Sequence, residues 1–243
     1  MEFVRPCLPF CVLLAITAAL PARAVVQGVA APELKTHSVM VLDDHGRMCT
    51  GVVLTQNAVL TAAHCVTNAG AWRVHWRSPD ATPVMVEPKA IHIHPGYDPR
   101  AVQTRSKSID LAIVTLADPL PDPFQPLPLS DITNVQPGDI IQVAGFGETD
   151  DANRKSVGTM MRADLQVVEP HGHSNILVWL SDPTEKGSGG CHGDSGGPLI
   201  ANGALIAITS WTKGNGKHDC GLITQGILIG PHKAWIDKIL GQN

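Results

Sequence analysis

From Val25 onward the apolar residues come in short runs, each stopped after a few positions by Gly, Pro, Asn or Asp, and this punctuation favours an all-β chain. Trp72, Val74 and Trp76 alternate with Arg73, His75 and Arg77, which predicts a strand with one dry and one wet face. Ala163, Leu165 and Val167 repeat the pattern, as do Ile176, Val178 and Leu180. Asn202-Gly203 between two apolar runs predicts a tight hairpin, because both residues tolerate positive φ. Only the C-terminus reads as a helix, opened by Pro231, with Trp235, Ile236, Ile239 and Leu240 on one face and Gly241 as its stop. A Pro-rich stretch at residues 119–126 divides the chain into halves.

The 243 residues, 44% of them hydrophobic, are enough for a substantial buried core. A net charge of -4 without a long run of either sign offers nothing to a polyanion, so nucleic acid is not an expected partner. The N-terminus reads as an export signal, residues 1–24: Arg5, an apolar stretch over residues 8–20, then Pro21-Ala22-Arg23-Ala24. That stretch is short for a membrane span, and the small-x-small ending predicts cleavage after Ala24. The competing reading is an uncleaved anchor. Cleavage predicts a secreted or periplasmic protein with no membrane association once the signal is gone. Cys7 and Cys11 leave with it, and Cys49, Cys65, Cys191 and Cys220 remain. An even count in an exported chain implies disulfides, with three possible pairings. Metal binding is the weaker alternative: there is no CxxC pair, and a partly exposed strand explains His92-Ile93-His94.

Three segments carry the chemistry: Thr61-Ala62-Ala63-His64-Cys65, Asp110-Leu111-Ala112, and Gly193-Asp194-Ser195-Gly196-Gly197-Pro198. A serine hydroxyl is a weak nucleophile unless a base takes its proton, and His64 suits that task. A carboxylate such as Asp110 fixes the imidazole tautomer and stabilises its charged form. The glycines around Ser195 allow the dihedral angles that aim the N–H groups of Gly193 and Ser195 at one point, an oxyanion hole. Each residue alone reads as a turn or a packed histidine; the conjunction points to acyl transfer.

With Val25-Val26-Gln27-Gly28, Gly145-Phe146-Gly147 and Ser210-Trp211 added, the chain resembles the chymotrypsin/trypsin family of serine endopeptidases over nearly all of residues 25–243. The resemblance implies an all-β fold of two six-stranded antiparallel β-barrels, a first at about 25–125 and a second at about 126–230, with a C-terminal helix at about 231–241. It places His64 and Asp110 on the first barrel, Ser195 on the second, and the site between them. It implies disulfides Cys49–Cys65 and Cys191–Cys220, and an activation pair in which the freed amine of Val25 meets Asp194. Cleavage after Ala24 would then both export and activate the enzyme; a cut after Arg23 would leave one extra residue. Activity is expected to follow a bell-shaped pH profile, rising as His64 loses its proton and falling when the amine does.

The family's pocket positions map here to Gly189, Gly190, Ser210, Trp211, Thr212 and Gly226. Gly189 stands where trypsin-like members carry an acid, Thr212 should narrow the mouth and Gly226 should leave the opposite wall open, which together predict cleavage after small or medium uncharged residues. Lys213, Lys217 and His218, with His192 nearby, raise the alternative of an acidic preference. The expected partners are protein or peptide substrates, with protein inhibitors possible, acting on a monomer. No cofactor or metal is expected. A catalytically silent binding protein on the same scaffold is the reading from another class. An α/β esterase fits neither the order His, Asp, Ser nor the loop sequence.

Overall fold

The computed structural model describes residues 25–67, 70–104 and 106–241. The predicted export segment, with Arg5, Cys7, Cys11 and Ala24, lies outside the described residues. In chain order the strands are β1 (Val29–Ala30), β2 (Ser38–Asp43), β3 (Met48–Thr55), β4 (Ala58–Thr61), β5 (Trp72–Arg77), β6 (Pro83–Val86), β7 (Pro88–Ile93) and β8 (Ala112–Leu116). They continue with β9 (Ile140–Gly145), β10 (Met161–Val168), β11 (Leu177–Ser181), β12 (Pro198–Ala201), β13 (Ala204–Lys213) and β14 (Ile223–Leu228).

The first sheet runs β6-β5-β2-β3-β4-β8-β7, and every pairing in it is antiparallel. Only Glu87 separates β6 from β7, and Pro88, which has no N–H for a ladder, follows it. The two segments thus act as one bent strand, and the sheet has six strands in the sense the sequence led one to expect. The second sheet runs β10-β11-β14-β13-β12-β9 and closes on itself through β9–β10 pairing from Met161 opposite Gly145 to Gln166 opposite Ile140. Closure removes unpaired edges.

Alternation holds along β10, where Met161, Ala163, Leu165 and Val167 are all buried, and Asn202 and Gly203 make the β12–β13 turn with φ of 51° and 75°. His75 departs from its predicted wet face. It is buried, with Nδ1 2.8 Å from the carbonyl oxygen of Val84, because β6 lies alongside. The start of the chain departs too: β1 pairs with β10, and Val25 is buried among Ile141, Val143 and Leu165, so these residues attach to the second barrel and not the first. At the C-terminus a 3₁₀ turn, Gly230–His232, takes up Pro231, and the α-helix proper spans Lys233–Leu240 with Ile236 and Ile239 buried. Two cores result. One fills the second barrel, and the other runs from Val39, Val52 and Leu60 of the first barrel through Phe146, Ile208 and Ile236, bonding the two halves along a seam.

Candidate active site

Antiparallel pairing of β4 with β8 sets Thr61, the last residue of β4, opposite Ala112, the first of β8. The 3₁₀ turn Ala63–Cys65 leaves the end of β4 just where Asp110 enters β8, so one register brings His64 to Asp110. His64 Nδ1 lies 2.7 Å from Asp110 Oδ2, and the His64 backbone N–H donates to Oδ1 at 2.9 Å. The second barrel adds a third contact: Ser210 Oγ donates to Oδ2 at 2.6 Å. It can do so because the β13–β14 register shifts between Thr209 and Trp211, a bulge that leaves Ser210 out of the ladder and turns its side chain toward the carboxylate. Burial works against the charge of Asp110, but His64 and Ser210 hold its carboxyl below the ordinary range.

Ser195 sits on the loop before β12 and lines, with His64, a cleft of about 450 Å³ whose walls also include Met48, the Cys49–Cys65 disulfide and Gly193. Gly193 has φ of 95° and Gly196 has φ of 80°. A Cβ at Gly196 would fall 2.2 Å from both the Thr50 carbonyl oxygen and Thr61 Oγ1, so only glycine fits there. Among the described residues the N–H groups of Gly193 and Ser195 donate to no protein acceptor. Cys49, His64 and Cys65 bring donor atoms within 4.8 Å of one another, yet both sulfurs are committed to the disulfide and cannot act as thiolate ligands.

Asp194 is fully buried and accepts the backbone N–H groups of Cys191 and Gly147, each at 2.8 Å. Desolvation pushes its carboxyl up to about 7 against those two donors, and the negative charge of Glu148 adds to the rise. Among the described residues no cationic side chain pairs with it. Val26 bridges to Gly189, whose N–H donates to the Val26 carbonyl at 3.2 Å, so the segment beginning at Val25 is docked against the predicted pocket wall.

That pocket differs from expectation at one wall. Gly226 lies opposite Val178 and Thr209 within the second barrel, and a Cβ there would stand 2.3 Å from Leu199 Cδ1, so it faces the barrel core. The wall is Thr224, two residues earlier: its Oγ1 accepts the Gly190 N–H at 2.9 Å, and a Cβ at Gly189 would meet that oxygen at 3.2 Å. Thr212 pairs with Thr224 in the sheet, and its Oγ1 donates to the Gly190 carbonyl at 2.7 Å. Two threonines thus crowd the glycine wall, and the Cys191–Cys220 disulfide ties the residue after Gly190 to the residue before Gly221. Trp211 is exposed beside them.

The cationic loop is less free than its sequence suggests, since His218 Nδ1 is 3.2 Å from Asp151, which also accepts the Asp219 N–H at 2.8 Å. Reading the residues one at a time missed Thr224 and Thr50, because each is marked only by its partner on a strand distant in the chain.

The family model described as Trypsin matches residues 25–235. Kallikrein-8 of Homo sapiens is 31% identical over 80% of this chain and 77% of its own length. Chymase of Canis lupus familiaris is 27% identical over 98% of both, and a trypsin of Saccharopolyspora erythraea is 27% identical over 72% of this chain and 80% of its own. The structure of neuropsin, a serine protease of mouse brain, has the same fold, with a TM-score of 0.73, 23% identity, 89% of this chain covered and all of the other. The chain therefore belongs to the trypsin family of serine endopeptidases.

Proposed function

We propose that this chain is an exported endopeptidase that cuts after small uncharged residues through an acyl-enzyme on Ser195. In this reading His64 takes the Ser195 hydroxyl proton as Oγ attacks the scissile carbonyl carbon, and the N–H groups of Gly193 and Ser195 hold the oxyanion. The C–N bond then breaks, His64 returns the proton to the leaving amine, and water releases the acyl group by the same steps. Asp110 stays ionised and keeps the His64 ring in place. The observation that carries the catalytic reading is the pair of bonds from His64 to Asp110, at 2.7 and 2.9 Å, in the cleft that Ser195 also lines. The observation that carries the side-chain preference is the hydroxyl of Thr212 reaching across to Gly190 with Thr224 at the same wall.

Two observations support activation by cleavage before Val25. Asp194 is a buried carboxyl that pairs with no cation among the described residues, and Val25 is held at φ of 54°, a left-handed value that a β-branched residue adopts only under strain. Cutting the bond before Val25 frees that torsion and creates the amine Asp194 needs. The apolar segment at residues 8–20 and the two disulfides support an oxidising destination outside the cytoplasm. Labelling of the mature protein by a fluorophosphonate, mapped to Ser195 and paired with a peptide library varied at the residue before the cut, tests the reading. Labelling at Ser195 with Ala, Ser or Val preferred supports it. Absence of labelling favours a silent binding protein, and preference for Glu favours the acidic alternative.

A further inference from the structure

At the seam between the barrels one residue of β3 holds two segments of the second barrel at once. Thr50 is wholly buried. Its Oγ1 donates to the carbonyl oxygen of Gly193 at 2.9 Å and accepts the N–H of Phe146 at 3.0 Å. Its backbone N–H donates to the carbonyl of Ser195 at 2.8 Å, and its own carbonyl accepts the Thr61 hydroxyl at 2.8 Å. A hydroxyl offers one proton and two lone pairs, so donation to Gly193 and acceptance from Phe146 use the group as a bridge.

We infer that Thr50 is a positioning residue for the oxyanion hole: its hydroxyl pins the Gly193 carbonyl while the Glu148 N–H holds the His192 carbonyl at 2.7 Å, so that both peptides flanking the Gly193 Cα are fixed and its N–H is aimed at the cleft. The inference rests on the catalytic reading above. Gly193 has φ of 95° and carries no side chain to anchor it. The peptide on its C-terminal side is held by the Thr50 hydroxyl, and the carbonyl two residues on, that of Ser195, by the Thr50 N–H. Both anchors thus come from one rigid strand of the opposite barrel. Phe146 extends the bridge to Gly147, whose N–H holds Asp194 at 2.8 Å, so the loop is fastened on the side of the buried carboxyl as well. Deleting the hydroxyl takes a donor from the part-buried Gly193 carbonyl and an acceptor from the buried Phe146 N–H, and the relief that glycine permits is a change of both Gly193 torsions, which redirects its N–H. Thr50 touches Ser195 at its backbone carbonyl and not at its hydroxyl; it acts through the direction of one N–H.

The test uses the mature full-length enzyme and a peptide anilide with a small residue before the cut. Thr50→Val keeps the shape and removes the hydroxyl. Loss of a whole oxyanion donor costs about 100- to 1,000-fold in kcat, so misdirecting one is expected to cost about 10- to 100-fold, with KM within about twofold. Affinity for a peptide boronate, which places an anionic oxygen in the hole, should fall in step with kcat/KM, and Thr50→Ser should recover most of both. A merely structural role would lower the fraction of fluorophosphonate-reactive sites and leave kcat per reactive site unchanged. If Thr50→Val does not fold, Thr50→Cys, whose thiol is a weak donor, supplies the same contrast with Thr50→Ser. Per-site kcat of Thr50→Val within twofold of the parent, or no recovery in Thr50→Ser, overturns the inference alone. A parent enzyme that the fluorophosphonate does not label overturns the catalytic reading and this inference with it.

Discussion

Replacing Thr212 by glycine removes a side chain that crosses the mouth of the proposed pocket. In the native wall the Thr212 hydroxyl donates to Gly190 at 2.7 Å, while Thr224 behind it keeps its own bond to the Gly190 N–H at 2.9 Å. Thr212→Gly should therefore open the mouth and leave the rear of the wall in place. The Gly190 carbonyl loses a donor, but it then faces a solvated pocket where water replaces it. Burying a large apolar side chain is worth about 1.5–3 kcal/mol, and each 1.4 kcal/mol is a factor of ten. The ratio of kcat/KM for a substrate with Phe before the cut to one with Ala should rise by about 10- to 100-fold. Thr212→Ser, which keeps the hydroxyl, should leave the ratio near its starting value. Two peptide anilides differing only at that residue make the measurement. An active Thr212→Gly enzyme whose Phe:Ala ratio moves less than twofold refutes the view that Thr212 sets the size of the pocket.

A chain that retains residues before Val25 should be less stable at pH 8 than one beginning at Val25, because Asp194, pushed up to about 7, must ionise without a partner; thermal unfolding of both forms checks this. His232 packs on His94 with ring centroids 4.8 Å apart, and burial, followed by His94 and Lys107, lowers its titration to about 4. Its folded value lies below the unfolded one near 6.5, so the unfolded chain binds more protons in between and stability falls as pH drops from about 6.5 to about 4; His232→Phe should flatten that slope in urea titrations. Removing the Cys191–Cys220 disulfide, whose partners are 29 residues apart, should cost about 3–4 kcal/mol in the chain-entropy account and raise KM, read by chemical denaturation and initial rates. Gly145→Ala should impair folding or activity severely, since its Cβ would fall 2.2 Å from Asp194 Oδ1.

Much of this was readable residue by residue where local chemistry decides the structure. The Asn202-Gly203 hairpin follows from backbone freedom at two positions, and the period-2 burial of β10 from one face meeting a core. The three motif segments could be found because each carries its own turn or strand context. What stayed hidden depends on register between distant strands. Gly226 and Thr224 differ by two positions, yet only the pairing of Thr224 with Thr212 and of Gly226 with Thr209 shows which one meets the pocket. Thr50 reads as one more strand threonine until the seam brings Gly193, 143 residues away, to its hydroxyl. The attachment of Val25 to the second barrel is likewise a long-range pairing that no window along the chain contains.

If the Ser195 oxygen, deprotonated by His64, becomes acylated in the course of peptide-bond cleavage, an activated ester that deacylates slowly should trap that state for mass spectrometry of the mature protein. One acyl group per molecule is expected, located on Ser195, formed rapidly in the parent and at least about a thousandfold more slowly in His64→Ala. An adduct on another residue, or acylation of Ser195 at an undiminished rate without His64, contradicts this mechanism.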